Sequence, residues 1–232
     1  MFDLSLRPLK DTVLSPLPPL LPQSLTPNSL TLLAFLSGLL SCLSATCRSP
    51  FSLPFWLLNR LLDCLDGAVA RHRHSTSELG GFLDLLGDFV VYALVPISVA
   101  WGNGNGDEKE NVRQWIAIAC LEATFWINNF VLFYIAAVAE KWRTNTFLQN
   151  RNGDGGGDGS KSGSQELTSV MMKPALIEGF ESGLFFTLML AFPSYLRALS
   201  WVMCVGVTIG TAQRVSWFVG ALARNEREKR TG

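Results

Sequence analysis

The sequence predicts an all-α integral membrane protein of six transmembrane helices with a short N-terminal interfacial helix. Three observations carry this prediction. Of 232 residues, 48% are hydrophobic, and the mean hydropathy is positive. Six apolar stretches follow one another, most about long enough to cross the ~30 Å hydrocarbon layer of a bilayer as helices. Lysine and arginine gather at alternate connections between them, an asymmetry that orients membrane proteins.

Residues 1–28 form the interfacial segment. Pro8, Pro16, Pro18, Pro19 and Pro22 break its apolar content and no small-residue cleavage site follows, so it does not read as a signal peptide. Phe2, Leu6, Leu9 and Val13 recur at helical spacing around Arg7, Lys10 and Asp11, which suits a helix lying in the interface; a disordered tail is the alternative. Thr26-Pro27-Asn28 then starts a helix, with Asn28 as the expected cap.

Residues 29–223 form the membrane domain. The first span, 30–46, carries no charge. The second, 51–70, is apolar until Arg60, Asp63 and Asp66, so its polar end should face a cavity and not lipid. The loop after it is basic and holds His72 and His74. The third, 82–101, opens with Asp84 and Asp88, and Pro96 marks a kink. The fourth, 115–138, contains Glu122, Asn128 and Asn129. Residues 150–164 are rich in Gly, Asp, Ser and Asn with no apolar side chain, a flexible connector without chemistry. The fifth span covers 175–192 and the sixth 198–223; residues 224–232 are a charged, frayed tail.

An even number of spans puts both termini on one side. That side collects all the lysines and arginines except Arg48, Lys109, Arg113 and Arg197 opposite, and Arg60 and Arg214 within spans. The Asp-bearing ends of spans two and three therefore face the cytoplasm. Charge balances at 19 cationic against 19 anionic residues, which leaves no global field to attract nucleic acid. Cys42, Cys47, Cys64, Cys120 and Cys204 are odd in number and scattered, and read as buried inert thiols.

The chemistry concentrates in Asp63, Asp66, Asp84 and Asp88. Three- and four-residue spacings place each pair on one helical face. Two such helices side by side would make a cage of hard oxygen donors suited to Mg²⁺ or Mn²⁺. Carboxylates at membrane depth cost several kcal/mol each and rarely stand there without a partner or a function.

Asp63, Asp66, Gly67, Ala70, Arg71, Gly80, Asp84 and Asp88 fill every fixed place of D-x-x-D-G-x-x-A-R-x8-G-x3-D-x3-D. This stretch resembles the signature of the class-I CDP-alcohol phosphatidyltransferase family. Glu178-Gly179-Phe180-Glu181 and Leu57-Leu58-Asn59-Arg60-Leu61-Leu62-Asp63 are similar to a prokaryotic-type branch whose alcohol substrate is unassigned. The resemblance implies two metal ions held by Asp63, Asp66 and Asp84, with Asp88 sharing ligation or serving as general base. It implies a nucleotide site of Asp63, Asp66, Gly67, Ala70, Arg71 and Gly80. The reaction would pass a phosphatidyl group from CDP-diacylglycerol to a polar alcohol in phospholipid biosynthesis, releasing CMP.

Gly67 would let a nucleotide approach the helix side and Gly80 would do the same at the third span, though small residues also serve helix packing. Arg71 would pair with phosphate. His72 and His74 read as a basic loop near head groups. Glu178, Glu181 and Arg214 are either a mutual ion pair or an acceptor pocket. Ser37-Gly38 permits a homodimer. Three alternatives stand: a CDP-alcohol donor with a diacylglycerol acceptor, a divalent-cation transporter, and an inactive scaffold. The transporter gives no reason for Gly67, Ala70, Arg71 and Gly80, and the intact aspartates argue against the scaffold.

Overall fold

A computed structural model describes residues 16–104, 107–152 and 179–231. Among them the chain is helical, with no strand: α1 Pro27–Thr46, α2 Ser52–His72, α3 Glu78–Asn103, α4 Glu108–Asn152, α5 Gly179–Ala191 and α6 Leu196–Thr231. The proposed interfacial helix at Phe2–Val13 and most of the 150–164 connector lie outside the described residues.

The start of α1 differs from expectation. Thr26, not Asn28, is the cap: its Oγ1 accepts the Ser29 N–H at 3.2 Å, and the Ser29 hydroxyl accepts the Thr26 N–H at 3.0 Å. Proline at the next position has no N–H to satisfy and a φ already suited to the first turn, so the helix opens at Pro27. Before it, Pro18–Leu20 make one 3₁₀ turn, and Leu21 and Leu25 pack on the cluster of Leu30, Leu65 and Val69. At the other terminus the helix runs through the expected tail to Thr231, because no Pro or Gly interrupts residues 224–231.

Among the described residues four stretches are long and apolar enough to cross a membrane: Pro27–Thr46, Glu78–Asn103, Glu108–Trp142 and Pro193–Arg224. Helix α2 is charged in its second half, and the apolar part of α5, Glu181–Ala191, is shorter. Outside and inside are exchanged relative to a water-soluble bundle. Leu32, Leu33, Leu36, Leu40 and Leu43 of α1 and Leu57, Leu58 and Leu61 of α2 are exposed, while Ser37, Ser41, Ser52, Asn59 and Ser98 are buried. Lipid removes the penalty for exposed leucine, and small polar residues bring helices close and bond across them.

Two compact units make up the chain, Met1–Glu122 with Ile177–Cys204 and Ala123–Leu176 with Val205–Gly232. In the first, α1 lies against α2 and α3, and α5 against α2 and α3. Ser41 Oγ donates to the Ser52 carbonyl at 2.7 Å and Asn59 Nδ2 to the Ala34 carbonyl at 2.8 Å. A Cβ on Gly38 would stand 2.6 Å from Val91 Cγ2. The Ser37-Gly38 face, expected to permit dimerisation, is therefore spent on packing inside the unit. Cys47, expected to be buried, caps α1 exposed.

The second unit is held by rings and one polar knot. Phe218 meets Tyr134 edge-on at 6.0 Å and stacks on Trp142 at 6.5 Å. Asn128 Oδ1 accepts from Thr211 Oγ1 at 3.1 Å and from Arg214 Nη1 at 2.7 Å.

Candidate active site

The four aspartates come from two antiparallel neighbours in sequence, α2 and α3, joined by a loop in which His74 adopts a left-handed φ of 50°. Ser77 caps α3 by accepting the Gly80 N–H at 3.0 Å. This fixes where the helix starts and hence the faces on which Asp84 and Asp88 stand. On α2, Arg73 just past the last turn donates to the carbonyls of Leu25 at 2.6 Å, Leu21 at 3.1 Å and Pro22 at 3.1 Å.

Asp66 is buried, 5% exposed, and accepts a hydrogen bond from Thr31 Oγ1 of α1 at 2.5 Å. The carboxyl groups of Asp63 and Asp84 lie within hydrogen-bond reach of each other. Asp88 has a different partner. Arg60 Nη2 donates to Asp88 Oδ1 at 2.5 Å and Nη1 faces Oδ2 at 3.4 Å. The same guanidinium stands 3.7 Å from Asp63 Oδ2.

Arg60 is itself held on every side. Its Nη1 donates to the Tyr92 hydroxyl at 2.6 Å and its Nε to Asn59 Oδ1 at 2.8 Å. Its carbon centre lies 4.9 Å from the ring centroids of both Trp56 and Tyr92, a cation–π arrangement. Trp56 is fully buried and donates Nε1–H to Thr187 Oγ1 of α5 at 2.8 Å; Phe186 meets both rings, at 6.0 and 5.0 Å.

The glycines divide. A Cβ on Gly67 would meet Arg71 Nη1 at 3.3 Å and, among the described residues, nothing else within 4 Å, so no described helix packs there. On Gly80 it would meet Ser77 Oγ at 3.0 Å and Asn28 Oδ1 at 3.2 Å, a close approach of α1 and α3. Gly80 thus lets α3 pack closely on α1. Arg71, His72 and His74 are all exposed at the cage end of α2, where the helix C-terminus favours positive charge.

No three His, Cys, Asp or Glu side chains among the described residues are already gathered as a metal-ligand set. The donors nonetheless fit a hard cation. They are all carboxylate oxygens, and the contact of Asp63 with Asp84 is between like charges that need a proton or a cation between them. Of the expected acceptor pocket, Glu178 lies outside the described residues, Glu181 is half-buried in the first turn of α5, and Arg214 belongs to the Asn128 knot of the second unit.

Sequence reasoning missed Thr31, Tyr92 and Trp56, and gave Asn59 and Arg60 no role beyond their place in the family-like segment. The signal was spacing: Arg60 precedes Asp63 by three residues, Trp56 precedes Arg60 by four and Tyr92 follows Asp88 by four, so each lies one turn deeper on the face that carries the aspartates.

Stretches of the chain are similar to the inner membrane protein YnjF of Escherichia coli (strain K12), 48% identical over 80 residues covering 31% of this chain and 35% of that protein. Another relative is the bifunctional IPC transferase and DIPP synthase of Thermococcus kodakarensis, 38% identical over 69 residues, 30% of this chain and 16% of that one. The chain thus spans about a third or less of the length of these relatives. Its fold is that of Mycobacterium tuberculosis phosphatidylinositol phosphate synthase (PgsA1), crystallised with manganese and citrate: TM-score 0.50 at 20% identity over 84% of this chain and 82% of that one. A CDP-alcohol phosphatidyltransferase model matches residues 24–150. With more than half of its length matched and the motif aspartates inside the match, the chain belongs to the CDP-alcohol phosphatidyltransferase family, a family of transferases.

Proposed function

We propose that the chain transfers a phosphatidyl group from CDP-diacylglycerol to the hydroxyl of a polar alcohol and releases CMP. The observation that carries this reading is the meeting of Asp63 with Asp84 and the linking of Asp63 to Asp88 through Arg60, beside Gly67, on which no described helix packs. Six helices cross the membrane in this reading. The four long apolar stretches are joined by α2, whose polar face turns inward, and by α5. The cationic connections put the aspartates on the cytoplasmic side, where nucleotide-linked lipids are made.

Asp63, Asp66 and Asp84 would hold Mg²⁺ or Mn²⁺, and the manganese of the Mycobacterium tuberculosis structure supports that choice. When bound, such ions supply neutralisation of the pyrophosphate oxygens. The protein does the rest by placement. Gly67 lets the nucleotide lie against α2, and the Arg71 guanidinium offers paired donors to phosphate. Asp88 accepts the proton of the acceptor hydroxyl as its oxygen bonds to the lipid-bearing phosphorus. The bond from that phosphorus to CMP breaks, CMP leaves with the electron pair, and the proton remains on Asp88.

The test is CMP release by purified protein from CDP-diacylglycerol with Mn²⁺ or Mg²⁺ and a panel of alcohols: glycerol 3-phosphate, inositol, inositol phosphate, serine and glycerol. Release above an Asp88→Asn blank with one alcohol supports the reading and names the acceptor. Release from CDP-choline with diacylglycerol instead would show the donor and acceptor reversed. Divalent-ion flux through proteoliposomes without CMP release would replace the transferase by a transporter.

A further inference from the structure

We propose that Arg60 gives the four aspartates different roles. It reserves Asp88 for the proton and keeps it out of the cation-binding set, leaving that set to Asp63, Asp66 and Asp84. The inference rests on the transferase reading of this site. Arg60 is a positioning residue, acting through Asp88.

Three features of the geometry support this. First, the guanidinium is held by several neighbours. Its carbon centre lies 4.9 Å from the ring centroids of both Trp56 and Tyr92, and it is bonded to Asn59 Oδ1 and the Tyr92 hydroxyl. Its neighbours are anchored in turn, Asn59 to the Ala34 carbonyl and Trp56 to Thr187. Second, it faces both oxygens of Asp88 but stands at 3.7 Å from one oxygen of Asp63, and Asp66 takes its hydrogen bond from Thr31. A divalent ion on Asp88 would sit against a fixed like charge, whereas Asp66, and Asp63 with Asp84, present oxygens that Arg60 does not bond. Third, a carboxylate has about four lone-pair positions. Arg60 takes one direction on each oxygen and the Tyr92 hydroxyl bonds the same carboxylate, which leaves one position for a hydroxyl proton. A lysine in this position would supply the charge but not the paired donors.

The experiment measures Mn²⁺ affinity of the purified full chain by electron paramagnetic resonance of free Mn²⁺, beside CMP release. Asp88→Asn should abolish transfer and change Mn²⁺ affinity by less than about threefold, while Asp63→Asn weakens it by about tenfold or more. Arg60→Gln frees Asp88 to ligate, and Mn²⁺ should bind about tenfold tighter. Adding Asp88→Asn to Arg60→Gln should erase that gain, a coupling that a merely structural arginine would not produce. Arg60→Lys, the variant that keeps the buried charge, should bind Mn²⁺ like the wild type but turn over about tenfold more slowly at unchanged KM for the CDP-lipid.

Asp88→Asn weakening Mn²⁺ as much as Asp63→Asn overturns the separation of roles. So does a helical, thermally intact Arg60→Gln with unchanged Mn²⁺ affinity, or Arg60→Lys with unchanged turnover. Wild-type protein that binds Mn²⁺ yet releases no CMP from any CDP-linked lipid refutes the transferase reading instead, and the Mn²⁺ cycle still decides whether Arg60 sets Asp88 apart.

Discussion

Replacing Thr31 by valine deletes one hydroxyl and puts a methyl in its place, at nearly constant volume and in the same class of helix propensity. That hydroxyl donates at 2.5 Å to the carboxylate of Asp66, a residue only 5% exposed. A hydrogen bond to a charged acceptor contributes about 1.5–3 kcal/mol and one between neutral groups about 0.5–1.5. At about 2–4 °C per kcal/mol for a chain of this size, the thermal midpoint in detergent should fall by roughly 3–12 °C. Thr31 Oγ1 also lies 3.1 Å from the Pro27 carbonyl, so part of the loss could belong to that contact. A double-mutant cycle separates them. On an Asp66→Asn background the Pro27 contribution persists but the charged acceptor is gone, and Thr31→Val should cost about 1 kcal/mol less than on the wild type. Thr31→Ser should behave as wild type. The assay is differential scanning fluorimetry on the four proteins of the cycle without divalent ions. Equal loss on both backgrounds would refute the claim that Thr31 serves Asp66.

Three other outcomes are expected. Gly38→Ala places a methyl 2.6 Å from Val91 Cγ2 and should destabilise by about 1–3 kcal/mol, whereas Gly81→Ala, with nothing within 4 Å, should stay within about 0.5 kcal/mol; thermal midpoints check both. Arg73→Met removes the donor that binds three carbonyls between Leu21 and Leu25, and limited proteolysis should then cut in that segment with helix content unchanged. Deleting residues 153–164, which carry no apolar side chain and which the sequence reads as a connector, should leave CMP release within about twofold of wild type.

What the sequence made legible follows from periodicity and from charge in apolar surroundings. The helices carrying Asp63, Asp66, Asp84 and Asp88 were visible because each aspartate interrupts an apolar run, and Gly67 was visible because the family motif marks it. Arg60 was visible as a charge but not as a partner: its four polar contacts come from α2 and α3 together, and only their packing shows that it meets Asp88. Thr31 gave no signal, being one hydroxyl among the small polar residues of α1. Asn28 misled because its side chain suits a cap, while the outcome was decided by Pro27, whose ring belongs inside the first turn. Ser37-Gly38 misled differently. A small-residue face announces a close helix contact but not whether the other helix is in the same chain.

Arg73 has a mechanical consequence. It ties the stretch just outside α1 to the end of α2, and one turn inside α1 Thr31 ties the same two helices at Asp66. Two fastenings on opposite sides of a helix cap act like pins through a hinge plate, allowing neither helix to slide along the other. A slip of one residue is about 1.5 Å along the axis, which would stretch all four of these hydrogen bonds and bend them out of line at once. When the surrounding bilayer thins or thickens, α1 and α2 must therefore answer by tilting as a pair, and the height of Asp66 relative to the cap of α1 travels with them unchanged.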